Sequence, residues 1–245
     1  MERAKYKIVL LLLICCVANL KGSYKSEIYS AYISNNMQLW KNVIDKMNKV
    51  NNKDTNYLLE LVNYQYGYIA WCIGNNKNDE AKKYLDLAEK NITVLSQNNQ
   101  YQSIVNSYRS AFYGYRIGIN HILVTLLGLK SIDCAKLAIR QDKDNAFSYV
   151  QYANIEFYMP SVFGGSKSEA LSHYLRAKEL MEKSKEDIYE NWNYLNLLTV
   201  IAQTYSYLKD YKTSKQYLEK ILLIEPRFTW VKNELYPEVI KKMNN

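Results

Sequence analysis

Three segments of the chain share one spacing, and that spacing limits the fold more than any other feature. DEAKKYLDLAEK (Asp79–Lys90), SEALSHYLRAKEL (Ser168–Leu180) and KTSKQYLEKILLIEP (Lys212–Pro226) each carry a small residue: Ala81, Ala170 and Ser214. A large residue follows four positions later (Leu85, Tyr174, Leu218), and a third position comes three after that (Ala88, Ala177, Ile221). Steps of four and three keep all three positions on one face of an α-helix. The small residue admits a neighbouring helix closely, and the large one fills the groove beside it. Each segment follows an aromatic-rich stretch of helical period: NYQYGYIAWCIG, NAFSYVQYANIEFY and NYLNLLTVIAQTYSYLKD. The repeating unit is therefore a helical hairpin. Eight glycines and three prolines in 245 residues agree with this, because all-β and α/β chains need turn formers at short intervals. The fold class expected is all-α, an α-solenoid.

The last unit is the clearest, with Leu198, Ile201, Ala202 and Tyr205 followed by Tyr211, Ser214, Leu218, Ile221 and Pro226. It resembles a tetratricopeptide repeat of about 34 residues. The resemblance is good over Leu195–Phe228 and fair over Ala146–Lys183. It is weaker over Tyr57–Leu95, and degenerate over Tyr101–Asn145. FTWVKNELYPEVIKKMNN reads as a C-terminal capping helix, broken or kinked near Pro237. The chain is also similar to exported tetratricopeptide proteins of Gram-negative bacteria, which share a P-x-x-F-G-G-S turn and an E-P-x-F-x-W ending. Here those are Pro160–Ser166 and Glu225–Trp230. A more distant resemblance is to the T-component of tripartite periplasmic transporters. The expected domains are a signal peptide over 1–18, an N-terminal helical region over 19–56, the repeat array over 57–228 and the capping helix over 229–245.

The amino terminus has a positive start (Arg3, Lys5, Lys7) and an apolar run from Ile8 to Val17. That run is too short to span a bilayer and suits a signal peptide, with cleavage expected after Ala18. Two alternatives are a lipid anchor on Cys15 or Cys16, Cys16 being the candidate carried forward, and a core-buried helix. The expected location is periplasmic or outer-membrane-associated. Removing residues 1–18 takes away three positive charges and Glu2, so the net +8 becomes +6. The excess is spread along the chain, whereas a nucleic-acid binder concentrates it, so no nucleic acid is expected as a partner. Beyond the signal, Cys72 and Cys134 are far apart and lack CxxC spacing; two buried free thiols are expected, a structural disulfide in an oxidising compartment being the alternative.

YMPSVFGGSKSEA (Tyr158–Ala170) is the one stretch that resembles a phosphate cradle. A Walker-type loop needs four residues between its glycines, then Gly-Lys-Ser/Thr after a buried strand, and this stretch has neither. It does have a capping box, in which Ser166 accepts from the Glu169 amide and the Glu169 carboxylate returns to the Ser166 amide. Pro160 stops the preceding helix, and the glycines allow positive φ in a lengthened turn. His121, read as lying in an apolar helix, and His173 lack partners at metal-ligand spacing. The acidic pairs Asp79-Glu80 and Glu186-Asp187 sit where helices begin. Asn91-Ile-Thr93, a glycosylation sequon, falls inside a helix. No metal, no cofactor and no enzymatic activity are expected.

Binding is the expected role. In the array that the resemblance implies, the first helices of successive hairpins line a concave surface that takes an extended peptide or partner helix. That register points Asn196, Thr199, Gln203 and Tyr207 inward on the last hairpin. Tyr64, Tyr68, Trp71, Gln151, Ile155 and Tyr158 are the candidates on earlier ones. For each aromatic, packing between helices is an equal alternative. Thr199 and Gln203 stand where the carboxylate-clamp versions of the fold carry basic and amide groups, which argues against a chain-terminal carboxylate as ligand. The leading expectation is an adaptor for a protein or peptide partner. The alternative is a transport accessory that binds or passes a small ligand, and an open groove or a closed pocket distinguishes the two.

Overall fold

The computed structural model describes residues 24–244, and every regular element among them is helical. The signal-peptide reading and Cys16 therefore lie outside the described residues. A helix over 24–33 (α1) leads into α2 (Met37–Asn48). Four hairpins follow. They pair α3 (Thr55–Gly74) with α4 (Asn78–Leu95), α5 (Gln102–Ile119) with α6 (Val124–Gln141), α7 (Ala146–Tyr158) with α8 (Lys167–Met181), and α10 (Trp192–Tyr207) with α11 (Tyr211–Ile224). One short helical turn, α9 (Lys185–Ile188), precedes α10, and α12 (Tyr236–Met243) packs on α11 at the end. The architecture is all-α, built from helical hairpins in a solenoid-like array.

Side-chain caps fix where these helices start. Asn36, Asp54, Asn145, Ser166, Asn191 and Asp210 each accept a backbone amide from the first turn of the helix that follows. Helix ends explain the scarcity of glycine. The left-handed conformation that commonly closes a helix is taken after α1 by Asn35 (φ 55°) and after α3 by Asn76 (φ 58°), with asparagine standing in for glycine.

The four-then-three spacing is the packing rule of the second helices. Ala81, Leu85, Ala88, Ala170, Tyr174, Ala177, Ser214, Leu218 and Ile221 are all buried. The rule also governs two helices where it is hidden in the sequence. In α2 it runs Trp40, Ile44, Met47, and in α6 it runs Ser131, Ala135, Ala138, where an alanine replaces the large residue. The α6 case accounts for the degenerate appearance of that repeat.

The connection before α8 is a turn, as its residues require. Gly164 has φ 99°, and a Cβ on Gly165 would stand 1.9 Å from the Met159 carbonyl oxygen. The Ser166 hydroxyl accepts from the Glu169 amide at 3.2 Å. The reciprocal half of the capping box is absent, because the Ser166 amide donates to the Glu156 carbonyl instead (2.9 Å). His121 is corrected too: it stands exposed in the turn between α5 and α6, since Asn120 breaks the helix there. Cys134 is half-buried and Cys72 buried, both free. Near Pro237 the chain does not break. A π-helical turn over Val231–Leu235 runs into α12 and absorbs the amide that proline lacks.

The array curls until its ends meet. Trp192, at the start of α10, packs edge-on against Trp40 of α2 (ring centroids 4.9 Å) and lies over Gly67 of α3, where a Cβ would come within 2.7 Å of both indoles. On the other side α1 joins the first hairpin to the last. Tyr29 and Ile33 pack with Tyr194, Leu195, Leu198 and Phe228, and the Thr229 hydroxyl donates to the Ile33 carbonyl (3.0 Å).

Candidate functional site

The inner helices α3, α5, α7 and α10 enclose a cleft of about 610 Å³ near their amino-terminal ends. Its position follows from the curl. In an open solenoid α3 and α10 would stand far apart. Here the Trp192 indole donates to Asn63 Oδ1 (2.8 Å), Asn193 Nδ2 donates to the same oxygen (3.0 Å), and the concave surface becomes a bowl. The volume lies within the range that small-molecule sites occupy.

One wall is aromatic. Phe147 meets Tyr66 edge-on (5.1 Å) and Tyr108 at a tilt (4.6 Å), and Tyr66 stacks on Tyr115 outside the cleft (5.5 Å). The hydroxyls of this wall are already engaged. Gln151 Nε2 donates to the Tyr66 hydroxyl (3.2 Å), and Asn63 Nδ2 donates to that of Tyr108 (3.2 Å). Burial raises both phenols above their ordinary pKa, so they stay neutral and back the half-buried Phe147 ring without adding charge. Asn193, Asn196, Leu180, Leu197 and Met181 complete the interior.

The rim is acidic. Asp142, Asp144, Glu186 and Asp187 line it together with Lys25, and Lys183 pairs with Asp144 from beside it. Asp144 is held below the usual carboxylate range by Lys183 at 2.7 Å. The connecting segments place these carboxylates: Asp142 and Asp144 lie between α6 and α7, and Glu186 and Asp187 in α9. Among the described residues no group of three or more His, Cys, Asp or Glu side chains is arranged to hold a metal ion.

The sequence-derived candidates divide into three sets. Asn196 lines the cleft and accepts from the Tyr32 hydroxyl (3.1 Å). Tyr158, Ile155, Gln203 and Tyr207 lie towards the other end of the inner helices. Tyr158 and Tyr207 are exposed there, each with an edge contact to Phe157 (5.0 and 5.2 Å), while Ile155 and Gln203 are half-buried. The third set is corrected by packing. Tyr64, Tyr68, Gln151 and Thr199 are buried and offer a partner no surface. Tyr64 donates to Glu60 (2.6 Å) while its carbonyl takes the Trp40 indole. Tyr68 packs on Tyr84 (5.0 Å), and the Thr199 hydroxyl bonds its own helix at the Leu195 carbonyl. Trp71 stacks on Tyr68 (5.8 Å) and carries Lys77 over its ring at 4.4 Å.

Sequence reasoning missed Asn63, Tyr66, Tyr108 and Phe147. The miss on α3 has a plain cause: the helix is apolar on nearly every side, so periodicity could not tell its groove face from its α2 and α4 faces. A signal did exist in the pair Asn63 and Gly67, a polar and a small residue one turn apart in an otherwise aromatic helix.

No protein-family model matches the chain, and no curated protein matches it. Among solved structures it is similar to the HusA haemophore from Porphyromonas gingivalis, with a TM-score of 0.55 and 18% sequence identity. The match covers 78% of this chain and 89% of that one. At that identity the likeness shows the fold alone.

Proposed function

We propose that this chain is an exported binding protein that carries a small, flat, largely apolar ligand in the cleft between α3, α5, α7 and α10. The observation that carries this reading is the contact of Trp192 and Asn193 with Asn63, which closes the concave surface into a bowl. An extended peptide needs a groove open at both ends, whereas a bowl of about 610 Å³ with an aromatic wall fits a small molecule. Export rests on the amino-terminal segment, and the packing positions of the second helices support the tetratricopeptide likeness. Binding rather than catalysis is proposed, since the cleft offers engaged phenols and amides and no paired nucleophile and base.

The similar fold serves a haemophore, so haem is the first ligand to try. The residues fit the macrocycle better than its acid groups. Phe147 presents a ring face backed by Tyr66 and Tyr108, while Asp142, Glu186 and Asp187 against Lys25 disfavour an anionic head at the rim, Asp144 being paired with Lys183. A porphyrin would enter ring-first with its propionates turned to water. The test is a titration with haemin and with its dimethyl ester, followed by the Soret band. Saturable binding in which the ester holds at least as tightly is expected, with loss in Ala146→Trp, which fills the mouth of the cleft. If neither ligand binds and crosslinking instead joins a protein to the Tyr158–Tyr207 end, the carrier reading fails and the adaptor reading replaces it.

A further inference from the structure

The carboxamides around the cleft are nearly all committed to the protein itself. Asn63 accepts at Oδ1 from the Trp192 indole and from Asn193, and donates from Nδ2 to Tyr108. Asn145 caps α7 with its oxygen and donates to the Ser103 hydroxyl (2.8 Å). Asn191 caps α10 and donates to the Asp187 carbonyl (2.6 Å). Gln100 stands exposed in the turn before α5. Two groups on α10 are left over. Asn193 spends Nδ2 on Asn63, which leaves its Oδ1, and Asn196 spends Oδ1 on the Tyr32 hydroxyl, which leaves its Nδ2. Both side chains are half-buried and line the cleft. Neither spare atom is sealed in protein, since among the described residues no fully buried side-chain nitrogen or oxygen lacks a partner.

The orientation of this network follows from its chemistry. An indole nitrogen only donates, so the Asn63 atom that meets Trp192 is its oxygen, and the Asn193 atom that meets that oxygen is its nitrogen. Asn193 therefore keeps an acceptor for a ligand. Asn196 keeps a donor, and it follows Asn193 by three residues, a spacing that sets their Cβ atoms about 5–6 Å apart on one helix face. A single oxygen atom can serve both. At about 2.8 Å from each partner and a tetrahedral angle it spans partners roughly 4.6 Å apart. A carboxylate has no proton to give Asn193, and an ammonium has no lone pair for Asn196. A hydroxyl has both.

We infer that the ligand of the cleft carries a hydroxyl on its flat apolar frame, which donates to Asn193 Oδ1 and accepts from Asn196 Nδ2. The inference rests on the carrier reading and narrows it to a class of ligand. Water can make the same two bonds, so an apolar molecule that covers the pair forfeits them and a hydroxyl restores them. A neutral group also suits a cleft whose rim disfavours an anion.

The test is equilibrium dialysis of the full chain against 2-naphthol and 2-methylnaphthalene, which carry a hydroxyl or a methyl on the same flat frame. Two net hydrogen bonds at about fivefold each favour the naphthol by roughly 25-fold. Burial of the methyl returns about fourfold, so the naphthol should bind roughly sixfold more tightly. Asn193→Leu and Asn196→Leu each remove one bond and should bring the two probes about level, with 2-methylnaphthalene held at least as well as by the native chain. Asn196→Leu leaves the Asn63 contacts intact, so it carries the test if Asn193→Leu loosens the bowl. If the native chain holds 2-methylnaphthalene as tightly as 2-naphthol, the hydroxyl inference is refuted while the carrier reading stands. A naphthol preference that survives both substitutions refutes it as well, because the hydroxyl is then read elsewhere. Binding of neither probe removes the inference together with the carrier reading.

Discussion

Replacing Trp192 by alanine tests whether the array is closed. The side chain is 6% exposed and joins α10 to α2 and α3, packing against Trp40, Tyr32 (5.8 Å) and Tyr66 (6.3 Å). Truncating a buried tryptophan costs about 3–5 kcal/mol in lost transfer energy and residual cavity. The indole's hydrogen bond adds little, because Asn63 Oδ1 keeps its bond from Asn193 and lies beside the cleft. A domain of this kind has about 5–15 kcal/mol in hand, so the variant should fold but unfold at much lower urea. The sharper measurement is a double-mutant cycle with Trp40→Phe, followed by helical circular dichroism. In a linear solenoid α2 and α10 would not touch and the coupling would vanish. The edge-on pair at 4.9 Å predicts a coupling of about 0.5–1.5 kcal/mol. A loss below about 1 kcal/mol in Trp192→Ala with no coupling to Trp40 would refute the closed arrangement, and the bowl with it.

Gly165→Ala should lower stability by about 1–3 kcal/mol in a thermal melt, because the added methyl meets a backbone carbonyl that cannot rotate away. Ser166→Ala should cost about 1 kcal/mol through loss of the α8 cap, and Ser166→Asp should restore most of it. Glu182 gives a pH prediction. Burial opposes its ionisation, but hydrogen bonds from Lys178, Tyr194 and Lys220 outweigh it and lower the carboxyl to about 2. A carboxyl depressed in the folded state stabilises above its unfolded pKa, and that stability drains away as pH falls from about 4.5 towards 2. Screening at this partly exposed site leaves about 1–2 kcal/mol of the effect. The gap in urea midpoint between the native chain and Glu182→Gln should therefore narrow over that window, and a constant gap would show that the network carries no linkage.

Much of the fold was legible because helices announce themselves locally. The four-then-three spacing at Ala81, Leu85 and Ala88 and its two copies marked the second helices, since a neighbouring helix constrains that one face. The cleft was harder to see. Asn196 was reached through the register of α10, a helix whose hairpin spacing was plain. Tyr64 and Tyr68 were placed on the wrong face because α3 is surrounded by α2, α4, α5 and α10 and has no polar side to orient it.

The sequence by itself determined the helices, their caps, their pairing into hairpins and the turn at Gly164 and Gly165, because each depends on residues a few positions apart. Tertiary structure alone decided how far the array curls. That depends on Trp192 finding Trp40 and Gly67, and on α1 lying against α10, contacts between residues more than a hundred positions apart. Curvature is the sum of small rotations at every interface, set by side-chain volumes such as the alanine at position 135, and no local pattern encodes the sum. The bowl, its aromatic wall and its acidic rim exist because that sum brings α10 back to α3.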